Sequence, residues 1–242
     1  MAFEKPTRAV SAQRPVKAEQ ALRPSSGQAP RPCPVQAPRP SSVQGWDFNN
    51  CAIIVAHPDD EILWAGGTIL LHGESRWTVI TLCRKSDADR AAKFQRVMEY
   101  LGAKGIMGDL DDSPEQLPLA EKEVRKTILS LLPLDRFDLV MTHSRWGEYT
   151  RHLRHEEVSR AVLGLYNTKD LISKQVWMFA YEDGGGKYLP MPTRDCDVQV
   201  WLPEKIWQEK YKIITEIYGF GTESFEAKTC PKQEAFWTLG AK

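Results

Sequence analysis

No apolar run in this sequence is long enough to cross a bilayer, and the first residues, MAFEKPTRAV, lack the apolar stretch of a secretory leader. Net charge is missing too. Thirty-two basic residues balance 32 acidic ones, so no bulk attraction draws the chain to nucleic acid or to a membrane surface. Cysteine is scarce and irregular: five residues, at 33, 51, 83, 196 and 230, form no CxxC. That argues against a disulfide framework and a cysteine zinc site, and it predicts a reduced, cytoplasmic protein. Large apolar residues are nearly absent from residues 1–45, which instead hold eight of the 16 prolines and repeat QAPRP at 28–32 and 36–40. Such a segment cannot bury enough surface to offset the entropy of ordering. It reads as a disordered, Pro-rich tail with polyproline II character, either a docking arm or a dispensable extension. Seven basic and two acidic residues give this tail a charge of +5, which leaves −5 for the rest of the chain.

What is present is a chain 42% hydrophobic and 26% charged, with residues 46–242 ample for one α/β domain. Residues 51–56 (CAIIVA) are all apolar or small, as a strand buried on both faces requires. A helical face follows over 61–72, then a strand over 77–83 and a helix over 87–101 closed by Gly102. Further on, the pattern predicts a helix over 120–132, a strand over 137–142, a helix over 152–166 and a strand over 175–181. Gly184-Gly185-Gly186 breaks the chain. An edge strand over 198–202 and a closing helix over 203–218, with proline in its first turn, complete the pattern. Strands alternating with helices imply right-handed βαβ units and a mainly parallel sheet flanked by helices. Ligands of such sheets bind beyond the carboxyl ends of the strands.

At the end of the first strand stands HPDDE, residues 57–61. Proline and acids in a first helical turn complement the macrodipole, so a purely structural reading is open. Against it, His57 stands where a cap is usually Ser, Thr, Asn or Asp. Asp59, Asp60 and Glu61 also repel one another unless something positive sits among them. Beyond the strand at 137–142, the stretch HSRWGEYTRHLRHEE holds three of the five histidines. His152 and His155 share a helix face at i, i+3, and a solvated face would explain them if they stood alone. In conjunction, His57, Asp60 and His155 supply two imidazoles and a carboxylate, a set that suits a catalytic zinc with one position open for water. Asp59, adjacent but not a ligand, is then the candidate base for that water. His152, one turn from His155, is placed to stabilise an oxyanion and to protonate a leaving amine. The reaction class is metal-assisted hydrolysis of an amide or ester. Arg84, after the second strand, is a candidate for holding a polar substrate group, and Trp146 for stacking on a sugar ring. A solvated loop arginine and a packed tryptophan are the alternatives. His72 reads as surface.

AHPDDE followed by Trp64-Ala65-Gly66-Gly67-Thr68 resembles the PIG-L/LmbE-like family of zinc-dependent N-deacetylases. The resemblance runs from residue 50 to about residue 220, through Arg90, Leu101-Gly102, Thr142-His143 and His152-Leu153-Arg154-His155. It implies a Rossmann-like fold and removal of acetyl from N-acetylglucosamine units of glycolipids, glycosides and thiol precursors. It also implies zinc on His57, Asp60 and His155, with Asp59 as base and His152 as catalytic histidine. The partner it implies is a small amino sugar conjugate.

Two positions depart from the family pattern. Its second motif is often His-Pro-Asp-His, whereas Arg154 stands here in place of the acid. That cation is expected to lower the pKa of His152, with Glu148 or Glu156 as substitute acids. Lys93 stands where the family often has Glu. Two other functions compete with the deacetylase. A magnesium phosphohydrolase would use Asp59, Asp60 and Glu61, but magnesium prefers all-oxygen ligands, and the histidines argue against it. A carbohydrate-binding homologue without turnover draws its support from the missing acid at 154. Specificity is expected in loops at 103–118 and 182–198, and nothing in the sequence sets an oligomeric state.

Overall fold

The computed structural model describes residues 47–133 and 136–240, so the tail at 1–45 lies outside the described residues. The first strand, β1 (Asn50–Val55), serves two cores at once. Cys51, Ile53 and Val55 enter one apolar cluster while Ala52, Ile54 and the following Ala56 enter the other, all fully buried. Successive side chains of a strand point to opposite faces, so a sheet covered on both sides needs an unbroken apolar run.

After β1 come α1 (Asp60–Leu71), β2 (Arg76–Cys83), α2 (Ala88–Leu101) and β3 (Lys104–Leu110). Next are α3 (Glu121–Leu131), β4 (Arg136–Thr142), α4 (Leu153–Thr168) and β5 (Ile172–Phe179). A small ribbon pairs β6 (Tyr181–Glu182) with β7 (Met191–Pro192). Beyond β8 (Val198–Trp201), α5 (Glu204–Lys212) runs into a π-turn, Ile213–Ile217. Then α6 (Phe225–Thr229) leads to β9 (Gln233–Gly240). The main sheet has seven strands in the order β3-β2-β1-β4-β5-β9-β8. From β3 to β5 every pairing is parallel, while β9 and β8 are antiparallel additions at one edge. This is the Rossmann-like, mainly parallel sheet that the alternating pattern and the family resemblance imply.

The winding of the chain positions the site. It runs outward from β1 through β2 to β3, then returns to the other side of β1 and winds away through β4 and β5. Where the direction reverses, the helices that follow β1 and β4 diverge to opposite faces and leave a crevice at the strands' carboxyl ends. His57 follows β1 there, and His143 follows β4 directly.

Several elements differ from the sequence expectation. Part of the expected loop at 103–118 is β3, whose two glycines mask the strand pattern. A Cβ on Gly105 would lie 2.5 Å from Met98 Cγ, so glycine there lets α2 lie against the strand. The segment at 203–218 is not the closing element, because β9 follows it and enters the sheet between β5 and β8. In β9 the charged Glu234 interrupts the apolar pattern, yet it is fully buried against Lys210 at 2.7 Å. His72, expected at the surface, is buried. Its carbonyl accepts the Trp77 indole N–H at 2.9 Å, and Glu74 lies 3.7 Å from its Nδ1. Among the described residues, Cys51, Cys83, Cys196 and Cys230 are free, and no helix is long and apolar enough to cross a membrane.

Candidate active site

At the exit of β1 the chain turns through His57-Pro58 into α1. Asp59 caps α1 with φ at 108°, a backbone conformation rare outside glycine. Such conformations persist where the surroundings over-determine them, and they gather at functional sites. Asp60 reaches back from the first helical turn. Its Oδ2 accepts the His57 backbone N–H at 2.9 Å and lies 3.3 Å from His57 Nδ1. Its Oδ1 accepts from the Trp64 indole at 3.3 Å and faces His155 Nε2 at 3.4 Å. Glu61 has other partners. It accepts the Asp59 N–H on Oε2 at 3.0 Å and the Tyr218 hydroxyl on Oε1. The carboxylate trio of a magnesium site is therefore not among the metal-competent groupings of the described residues.

The second half of the crevice comes from β4 and α4. His143 Nε2 accepts the Ala56 N–H at 2.9 Å, which ties the two strand ends together. Glu148 takes both neighbouring imidazoles on one oxygen, His143 Nδ1 at 3.0 Å and His155 Nδ1 at 2.6 Å, while Ser144 N–H bonds its other oxygen at 2.9 Å. A carboxylate only accepts, so it assigns the proton of each ring to Nδ1. His155 is left with a bare Nε2 lone pair turned to Asp60, and that buried nitrogen has no hydrogen-bond partner. A lone pair facing a carboxylate oxygen at 3.4 Å needs a cation between them, either a proton or a metal ion. A carboxylate behind a ligating histidine is also the usual outer support of a metal site. Ring nitrogens of His57, His152 and His155 lie within 4.8 Å of one another, as do ligand atoms of Asp60, His143 and His155. The expected trio His57, Asp60 and His155 is split between these groupings, although Asp60 approaches the His57 ring at 3.3 Å and the His155 ring at 3.4 Å through its two oxygens. This mixed nitrogen and oxygen set fits a divalent transition metal.

A cavity of about 180 Å³ opens over the cluster, lined among others by His57, Asp59, Arg84, Arg90, Asp112 and His152. Arg90 bonds Asp59 Oδ2 at 2.7 Å. Arg84 reaches the crevice, where it pairs with Asp112 at 2.5 Å, and the other oxygen of Asp112 lies 3.1 Å from His57 Nε2. Tyr149 and Phe225, edge to face at 5.0 Å, add an aromatic wall. Trp146 is not in the lining; it is 57% exposed and packs edge-on against Trp237 at 5.9 Å.

Electrostatics assign distinct states to these groups. Burial, then the Asp60 charge, pushes Asp59 up to about 7 against the pull of Arg90. Burial, then His155 and His57, drives His152 down to about 3, so its ring is neutral near pH 7 and able to donate an N–H. For His155, burial opposes the charge, but Asp60 and Glu148 override it and raise the ring to about 10. That rise is the same demand for a cation seen in the geometry. The expected tuning of His152 from position 154 is corrected by the structure. Arg154 is buried and spent on Glu157 at 2.6 Å, the Asp111 carbonyl at 2.5 Å and the Leu117 carbonyl at 2.8 Å. Nor do the substitute acids serve His152: Glu148 holds His143 and His155, and Glu156 faces Arg151 at 3.6 Å.

Sequence reasoning assigned no role to His143, Asp112, Tyr149 or Phe225. His143 had a usable signal, since it follows a strand directly, as His57 nearly does. Asp112 and Phe225 had none, because β3 and α6 bring them to the crevice.

The fold and site define a class, an α/β domain built round a metal-competent centre at its switch point with the Arg90-bonded carboxylate of Asp59 alongside. Residues 52–166 match the family model PIG-L, described as GlcNAc-PI de-N-acetylase. Among solved structures, N,N'-diacetylchitobiose deacetylase from Pyrococcus horikoshii is similar with TM-score 0.60 and 18% identity, over 80% of this chain and 84% of that one. A conserved protein from Thermus thermophilus gives 0.57 and 15%, over 78% and 93% of the two chains. A deacetylase of the teicoplanin biosynthesis pathway gives 0.56 and 13%, over 79% and 98%. At these identities the likeness is one of fold. No curated protein sequence matches the chain.

Proposed function

We propose that this protein is a zinc-dependent hydrolase that removes the N-acetyl group from an N-acetylglucosamine-type amino sugar conjugate. The observation that carries the reading is the chain Glu148–His155–Asp60, which aims a bare imidazole lone pair at a carboxylate beside the cavity. The family match over residues 52–166 and the deacetylases of like fold support it. His57, Asp60 and His155 hold the ion. Bound there, zinc would supply Lewis acidity and bring the pKa of a water to about 7. Asp59 is not a ligand; Arg90 occupies its Oδ2 and leaves the second oxygen to take the water's proton. His152 donates a hydrogen bond to the amide oxygen as that atom gains negative charge. The proton held by Asp59 then passes to the departing amine. Arg84 and Asp112, at the side of the cavity, meet sugar hydroxyls. Trp146, outside the lining, is left to stack on a part of the conjugate beyond the acetylated sugar. The free cysteines suit the reduced, cytoplasmic setting read from the sequence. A carbohydrate-binding protein without turnover keeps the support of the missing acid, since Arg154, Glu148 and Glu156 all have other partners than His152, and acetate release decides between the two.

Purified protein should hold about one zinc per chain by elemental analysis and release acetate from N-acetylglucosaminides. No transition metal bound after reconstitution would sink the reading. His155→Ala should lose most of the metal, whereas Asp59→Ala should keep it and lose turnover. Equal metal loss in both would show the division between ligand and base to be wrong.

A further inference from the structure

Two residues of one segment reach Asp59 by separate routes. The segment is the π-turn Ile213–Ile217 with its exit, Tyr218-Gly219-Phe220. Tyr218 is buried; its hydroxyl donates to Glu61 Oε1, and Glu61 Oε2 accepts the Asp59 backbone N–H at 3.0 Å. Phe220 lies under the Arg90 guanidinium, with the ring centroid 4.9 Å from Cζ, and Arg90 bonds Asp59 Oδ2 at 2.7 Å. One route holds the backbone of Asp59 and the other holds its carboxylate.

The local geometry is specialised for this reach. Tyr218 N–H bonds the Ile213 carbonyl at 2.9 Å, the wide i→i+5 closure of a π-turn, a form found mostly at functional sites. Gly219, at φ 77°, then reverses the chain so that Phe220 N–H meets the Ile214 carbonyl at 3.1 Å. Glu61 is a fully buried carboxylate whose oxygens bond Asp59 and Tyr218. Asp59, at φ 108°, needs outside support to stay as it is. Glu61, Tyr218 and Phe220 do not line the cavity.

We propose that the segment 213–220 is a clamp that aims the general base, with Tyr218 acting through Glu61 and Phe220 acting through Arg90. Glu61, Tyr218 and Phe220 are positioning residues, and the role given to Asp59 rests on the deacetylase reading above. In the zinc-loaded enzyme, Tyr218→Phe removes only a hydroxyl and should cut kcat roughly 10-fold or more, with KM and metal content unchanged. Phe220→Leu should act in the same direction. In an Asp59→Asn background neither change should lower the residual rate further, since the group they aim is gone. Equal losses in both backgrounds, as mere structural weakening would produce, overturn the clamp, as does a parental kcat in Tyr218→Phe. A second measurement needs no turnover: the Asp59 backbone amide should exchange with solvent faster in Tyr218→Phe than in the parent, while β1 amides keep their protection. Unchanged protection at Asp59 overturns the route through Glu61. A parent that releases no acetate would fell the deacetylase reading instead, and amide exchange would still decide the clamp.

Discussion

Asp59 carries two costs for one use. Its backbone is strained and its carboxyl is raised to about 7, both of which suit a base that must hold and release a proton near neutrality. In the role proposed for it Asp59 acts when deprotonated, so kcat/KM should climb with pH along a limb centred at or below about 7, because a bound cation favours the charged form. A profile without a rising limb between about pH 4 and 7 would remove Asp59 from that role. The same shift acts on stability in metal-stripped protein. The folded state keeps a proton that the unfolded chain releases near 3.8, so the contribution of Asp59 falls as pH rises from there to about 7. Asp59→Asn should reduce the fall in melting temperature over that range, leaving the part due to Glu61, which burial raises to about 8. Arg154 belongs to stability. Replacing it with Met leaves Glu157 buried without its cation and should cost about 3–5 kcal/mol in denaturant unfolding. The rising limb of the pH profile should not move, because Arg154 is committed to Glu157, Asp111 and Leu117.

Among the elements, α1 does the most to place the site, and glycine sets how closely it packs. A Cβ on Gly67 would lie 2.3 Å from Leu202 Cδ2, while the Gly67 N–H bonds Glu234 Oε1 at 2.7 Å. Thr68 bonds the other oxygen of Glu234 through both its N–H and its hydroxyl, each at 2.7 Å, and Lys210 neutralises the group. One buried ion pair thus joins α1, α5 and β9. Gly67→Ala should cost about 1–3 kcal/mol through overpacking, and Leu202→Ala in the same chain should recover part of it. Additive losses in a double-mutant cycle would show that the contact is not the cause. These joints explain why β1 was legible while β9 was not. Residues 51–56 announce a buried strand by an unbroken apolar run, a purely local pattern. The charge of Glu234 contradicts its strand locally and is resolved by Lys210, 24 residues away.

For the whole molecule, metal and tail differ in what they contribute to stability. An ion that binds only the folded chain stabilises it by mass action, so a chelator should lower the melting temperature and added zinc should restore it. Deleting residues 1–45 should leave both melting temperature and turnover nearly unchanged, because that composition cannot supply a core. A large drop would show that those residues pack on the domain. By itself the sequence determined the mainly parallel sheet and the two strand ends after which residues 57–61 and 143–157 follow. Those follow from local periodicity and from the rule that places ligands at strand ends. Only the tertiary structure decided which acid serves which imidazole, that Arg154 turns away from His152, and that Tyr218 reaches Glu61 across 157 residues. A side chain's partner depends on how separate elements pack and rotate against one another, and no spacing along the chain encodes that.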